Sequence, residues 1–178
     1  AGAQKRHIST PSLPAKQAGW SPRDYGTPTA LWQEKANNLV SDCAARLANA
    51  TEAVAWLEAR GISREMATRF RLGYNQSSKD ADRYRPRSSW GLDSKSGNGG
   101  KVVRSLWIPR GWVIPSFDSR NGALTQVRVR RMDADIKKFC DNIKYLPLDG
   151  STIATLIVCP DAEVFVPVEC GFDAYLIA

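Results

Sequence analysis

The sequence predicts an α+β fold: an N-terminal helical segment, then a small mixed or antiparallel sheet, then a switch to α/β character. Three observations carry that prediction. Apolar residues recur at helical spacing within residues 27–74, and they alternate with period two over residues 123–130. The closing stretch "VFVPVECGFDAYLIA" couples a valine-rich strand pattern to a short helical one. A chain of 178 residues is long enough for one domain with a substantial core, or for two small ones.

Residues 1–26 hold Pro11, Pro14 and Pro22 among Ser, Lys and Gly, with no apolar period. They read as a flexible leader or interdomain linker. Residues 27–74 form the helical segment. Thr27 is placed to cap a helix whose first position takes Pro28. Trp32, Ala36, Leu39, Val40, Cys43 and Leu47 then share one face. Thr51 can cap a short second helix carrying Val54 and Leu57, with Gly61 suited to end it. Ser63 caps a third, with Met66 and Phe70 one turn apart. The pair reads as a structural helical hairpin, with a DNA-reading helix-turn-helix as its alternative.

Residues 75–101 are rich in Ser, Gly, Asp, Lys and Arg and include "RYRPR" and "SKSGNGGK". Such composition predicts a mobile basic loop, because it buries too little apolar area to offset its ordering entropy. The glycines lack the phosphate-loop pattern. Arg83, Arg85 and Arg87 are candidates for contacting phosphates, or are solvated loop charges.

Residues 102–151 supply the sheet. "VVRSLWIP" and "WVIPSFD" read as strands, with Asn121-Gly122 as the hairpin signal. "ALTQVRVRR" puts Ala123, Thr125, Val127 and Val129 on one face and Gln126, Arg128 and Arg130 on the other. Same-face neighbours on a strand lie about 6.6–6.8 Å apart, so Arg128 and Arg130 are expected side by side on a firm, solvent-facing platform, suited to a polyanion or simply a solvated sheet face. "IKYLPLDGS" brings Lys144 beside Tyr145 shortly downstream. Residues 152–178 end in "AEVFVPVE", read as an apolar strand, and "DAYLIA", read as a helix. Glu169 is then expected at a strand's carboxyl end, where open α/β sheets gather reactive groups. Asp173 falls in the first turn of the helix, where the dipole favours an acid.

Charge divides the chain. Net charge is +3 over residues 1–26, +1 over 27–74, +4 over 75–104, +4 over 105–144 and −5 over 145–178, for a total of +7. A basic body leading into an acidic end suits a protein that grips polyanions and brings divalent cations to them, or a soluble protein with a skewed surface charge. Cys43, Cys140, Cys159 and Cys170 are widely spaced, so paired zinc ligands are lacking and reduced thiols are expected. His7 is the single histidine and lies in the polar leader, which argues against histidine-based catalysis. No apolar run approaches the roughly 20 residues of a membrane span, and the secretory pattern is missing. A cytoplasmic protein is the expectation.

The order "WLEARGISREMATRFRLGYN", "WVIPSFDSRNGALTQVRVRR", "IKYLPLDGS", "VFVPVECGFDAYLIA" resembles bacterial-type DNA primases, in the variant of phages and integrated mobile elements. It covers about residues 28–178 and leads into their Toprim catalytic core. The resemblance implies that residues 27–74 and 102–151 belong to the core's N-terminal subdomain and that residues 152–178 open a truncated Toprim domain. It implies that Glu169, Asp173 and Ala174 match the family's E-x-x-x-D-A pattern, with Glu169 acting as an acid–base residue or metal ligand. Arg130 (or Arg128) and Lys144 then match its basic nucleic-acid track. The implied activity is synthesis of short RNA primers on single-stranded DNA from nucleoside triphosphates, with Mg2+ or Mn2+ and without zinc here, and with a replicative helicase as partner. The remaining metal ligands, an Asp-x-Asp in the family, would lie beyond Ala178, so a fragment inactive on its own is expected. A non-enzymatic nucleic-acid-binding module and a Toprim nuclease or topoisomerase are the competing readings.

Overall fold

The computed structural model describes residues 26–76, 84–118, 121–139, 142–153, 156–158, 163–164, 166–168 and 171–177. Arg83, Glu169, Cys140, Cys159, Cys170 and the leader up to residue 25 lie outside the described residues.

Helices and antiparallel strands occur together, as an α+β fold requires. α1 spans Ala30–Ala48. Its cap is Thr29, whose hydroxyl accepts from Trp32 N at 3.2 Å, rather than Thr27; Pro28 accordingly precedes the cap instead of opening the helix. α2 (Thr51–Glu58) begins at Ala50 without a side-chain cap, so Thr51 is its first residue. α3 (Arg64–Arg69) starts as expected, with Ser63 Oγ accepting from Met66 N at 3.1 Å. α3 has only six residues, and its Ala67 is buried.

The main sheet has four strands in the order β1 (Gly73–Asn75), β6 (Gly111–Phe117), β7 (Leu124–Arg131) and β8 (Tyr145–Pro147), all antiparallel. The register pairs Trp112 with Arg130 and Ile114 with Arg128, then Arg130 with Tyr145 and Arg128 with Pro147. Two ribbons flank it: β2 (Tyr84–Pro86) with β5 (Ser105–Trp107), and β3 (Lys95–Ser96) with β4 (Val102–Val103). α4 (Asp133–Phe139) follows β7, and α5 (Gly171–Ile177) closes the described chain. Among the described residues no helix is long and apolar enough to cross a membrane.

Both faces of the sheet are covered. On one, Trp32, Ala36, Val40 and Cys43 of α1 pack against Val113, Val127 and Val129. α1 passes so close to β1 that a Cβ on Gly73 would lie 2.6 Å from Cys43 Cβ. On the other, Trp112 and Ile114 pack under α2, α3 and the Phe172 and Tyr175 side chains of α5.

The segment expected as a loop departs from that expectation over residues 84–101. It carries β2, β3 and a helical turn at Ser88–Trp90, and Trp90 is buried edge-on against Trp32, ring centres 6.4 Å apart. Arg87 Nη1 and Lys95 Nζ both donate to Asp149 Oδ2, at 2.5 and 2.6 Å. One buried tryptophan and one shared carboxylate order a polar, glycine-rich stretch that its composition alone would leave loose.

The apolar run before Glu169 also departs. Its described residues, 163–164 and 166–168, are not in a strand, and Val164, Val166 and Val168 are exposed. Among the described residues no strand lies alongside them to complete a ladder of backbone hydrogen bonds.

Candidate nucleic-acid interface

Gln126, Arg128 and Arg130 do share one face of β7, but that face is not open to solvent. Trp56 of α2 stacks on Trp112, ring centres 3.8 Å apart, and α5 lays Phe172 and Tyr175 across the neighbouring strand. Gln126 and Arg130 are each only 2% exposed. The expected pair of solvent-facing guanidiniums is therefore split. Arg130 goes under the aromatic cover, while Arg128 stays half-buried at its margin.

Arg130 is held as a buried cation must be, by an acid, a carbonyl and ring faces. Its Nη2 donates to Asp133 Oδ1 at 2.9 Å, and its Nη1 donates to the Arg131 carbonyl. Its guanidinium carbon lies 5.0 Å from the Trp56 ring centre and 5.7 Å from that of Trp112.

Two adjoining cavities lie beside it. The first, about 390 Å³, is lined by Ile114 and Ser116 of β6, Arg128 of β7, Lys144 and Tyr145 at the start of β8, and Gly171 and Asp173 of α5. The second, about 260 Å³, is lined by Trp56, Arg60, Arg130, Lys144, Tyr145 and Asp173. Lys144, Tyr145 and Asp173 face both, so the two make one cleft between the sheet and the start of α5. Lys144 is exposed, and its backbone is pinned where Arg131 N donates to its carbonyl at 2.9 Å. On α5, Tyr175 Oη donates to the Pro115 carbonyl at 3.2 Å. Burial pushes that phenol far above its usual range, with the Arg128 charge opposing.

Four residues singled out from sequence thus meet in one place: Arg128, Arg130, Lys144 and Asp173. Two others do not. Arg87 is buried and tied to Asp149, with Nε on the Asp93 carbonyl at 2.5 Å; it braces the fold instead of facing a ligand. Arg85 lies on β2, outside both cavities, with Nη1 on the Tyr84 carbonyl at 3.0 Å. Arg83 and Glu169 fall outside the described residues.

Sequence reasoning missed Trp56, Arg60, Tyr145 and Ser116 as cleft residues. One signal for two of them was present: Trp56 and Arg60 stand four apart on α2 and its exit, a spacing that stacks side chains on one helical face.

A magnesium or manganese ion takes several oxygen ligands. Among the described residues no three His, Cys, Asp or Glu side chains stand together, and Asp173 is the one acid lining the cleft. The described residues do not make up a divalent-cation site. The chemistry they support is that of clustered cations, aromatic rings and a single acid. No family model, no curated protein and no solved structure matches this chain.

Proposed function

We propose that the chain is the nucleic-acid-gripping part of a DNA primase, a metal-dependent nucleotidyltransferase making short RNA primers on single-stranded DNA. One observation carries the reading. Arg128, Arg130, Lys144 and Asp173 are spread over 46 sequence positions, yet they line one cleft. The primase resemblance singles out three positions here: Arg130 (or Arg128 in its place), Lys144 and Asp173. In this reading Arg128 and Lys144 hold backbone phosphates, Arg130 sets the cleft wall, and Asp173 and Glu169 are the catalytic carboxylates. Magnesium or manganese would supply charge neutralisation at the triphosphate. A replicative helicase is the expected partner, and nucleoside triphosphates are the substrates.

The test is primer synthesis by protein carrying this chain, with single-stranded DNA, ribonucleoside triphosphates and magnesium or manganese. Short RNA products that disappear in Glu169→Gln and Asp173→Asn, with strand binding retained, are the expected result. Binding without any synthesis in protein extended beyond Ala178 would remove the enzyme and leave a nucleic-acid-binding module.

A further inference from the structure

Trp56 is sandwiched. One face of its indole lies on Trp112, the planes 26° from parallel. The Arg60 guanidinium carbon is 3.5 Å from the same ring centre. Two flat groups cannot occupy one indole face at those separations, so Arg60 covers the face opposite Trp112. The three layers run outward from buried Trp112 through partly buried Trp56 to exposed Arg60. Arg60 is fastened there, its Nη1 donating to the Trp56 carbonyl at 3.2 Å. Trp56 and Arg60 line the 260 Å³ cavity together with Lys144, Asp173 and Leu176.

We infer that the Arg60–Trp56 stack is a ledge for an unpaired nucleobase, with the phosphate of that nucleotide held by Lys144 and Arg128. The inference rests on the nucleic-acid reading of the cleft and names the part of the ligand that the ledge takes. Bases lie on guanidinium planes as well as on aromatic rings. A guanidinium already parked on an indole loses little further side-chain freedom when a base arrives. Lys144 lines both cavities, so a phosphate bound there is adjacent to the ledge. A base inside a duplex has both faces occupied, so the ledge selects an unstacked one, whether on a single strand or on a free nucleoside triphosphate.

Two probes separate the base from the phosphates. The first compares binding of the 178-residue chain to a fluorescein-labelled oligothymidylate and to an abasic strand of the same length. The abasic strand is expected to bind on the order of tenfold more weakly, the scale of base stacking. The second uses Arg60→Lys, which keeps the charge and loses the plane. It should weaken oligothymidylate binding severalfold and leave abasic-strand binding unchanged. Equal affinity for both strands, or wild-type oligothymidylate binding by Arg60→Lys, overturns the ledge while leaving the phosphate cleft standing. Failure of the wild-type chain to bind either strand overturns the cleft's nucleic-acid reading as well. Competition by thymidine triphosphate that Arg60→Lys abolishes assigns the ledge to a free nucleotide; competition that does not reach the ledge assigns it to the strand.

Discussion

Arg130 and Trp56, which are 74 positions apart, come within 5.0 Å, guanidinium carbon to ring centre. That contact turns an arginine from a surface charge into part of the fold's interior. It also fixes the division of labour in the cleft, with Arg130 inside and Arg128 and Lys144 at the opening.

Arg130→Ala should therefore act mainly on stability. It strips a buried cation from Asp133 and from two rings, and a loss of about 2–4 kcal/mol is expected. Arg128→Ala, at a half-buried position, should cost under about 1 kcal/mol. Urea unfolding of the two variants checks the contrast; equal losses would mean Arg130 is not buried as described.

Binding to single-stranded DNA should show the converse order. Each phosphate contact removed from a single strand lowers the slope of log K against log salt by about 0.7. Arg128→Ala and Lys144→Ala should each flatten the slope by that amount. Arg85→Ala, outside the cleft, should leave it unchanged. A salt titration of all three by anisotropy decides.

Asp149 predicts an acid limb to stability. Burial by itself would raise its carboxyl, but the bonds from Lys95 and Arg87 outweigh it and hold it below the ordinary carboxylate value. As pH falls, the unfolded chain takes up this proton first, near its usual value of about 3.9. The contribution is present above about pH 5 and is lost as pH drops through the lower folded value. Asp149→Asn should flatten that part of the curve. At neutral pH, Asp149→Ala should cost about 2–3 kcal/mol, because buried Arg87 is left without its acid.

Gly73 tests the closeness of α1 to the sheet. A methyl group there would meet Cys43 Cβ at 2.6 Å and the Cys43 carbonyl carbon at 2.7 Å. Backbone cannot step aside as a flexible side chain can, so Gly73→Ala should cost about 3 kcal/mol. For a chain of this size that lowers Tm by roughly 6–12 °C. An unchanged melting curve would show that α1 sits further from β1.

Burial also pushes the Cys43 thiol up to about 12. Native protein at pH 8 should leave Cys43 unalkylated by iodoacetamide, with labelling appearing only in denaturant. Peptide mapping reads that residue separately from the other three cysteines.

Much of the local structure was legible from short-range pattern. The apolar stripe of α1, the Ser63 cap and the alternation of β7 depend on neighbours within a few residues, so the chain's own periodicity specifies them. Even there the cap settled on Thr29 and not Thr27, because it is the Thr29 hydroxyl that reaches Trp32 N. What covers each face was not legible. Alternation places Gln126, Arg128 and Arg130 together, but it cannot say that Trp56 and Phe172 will close over part of that face. Nor can composition reveal that Trp90 and Arg87 tie down a glycine-rich segment through Trp32 and Asp149. Spacing along the chain determined which residues share a side. Only tertiary packing decided which side is dry, because burial is set by contacts between residues far apart in sequence.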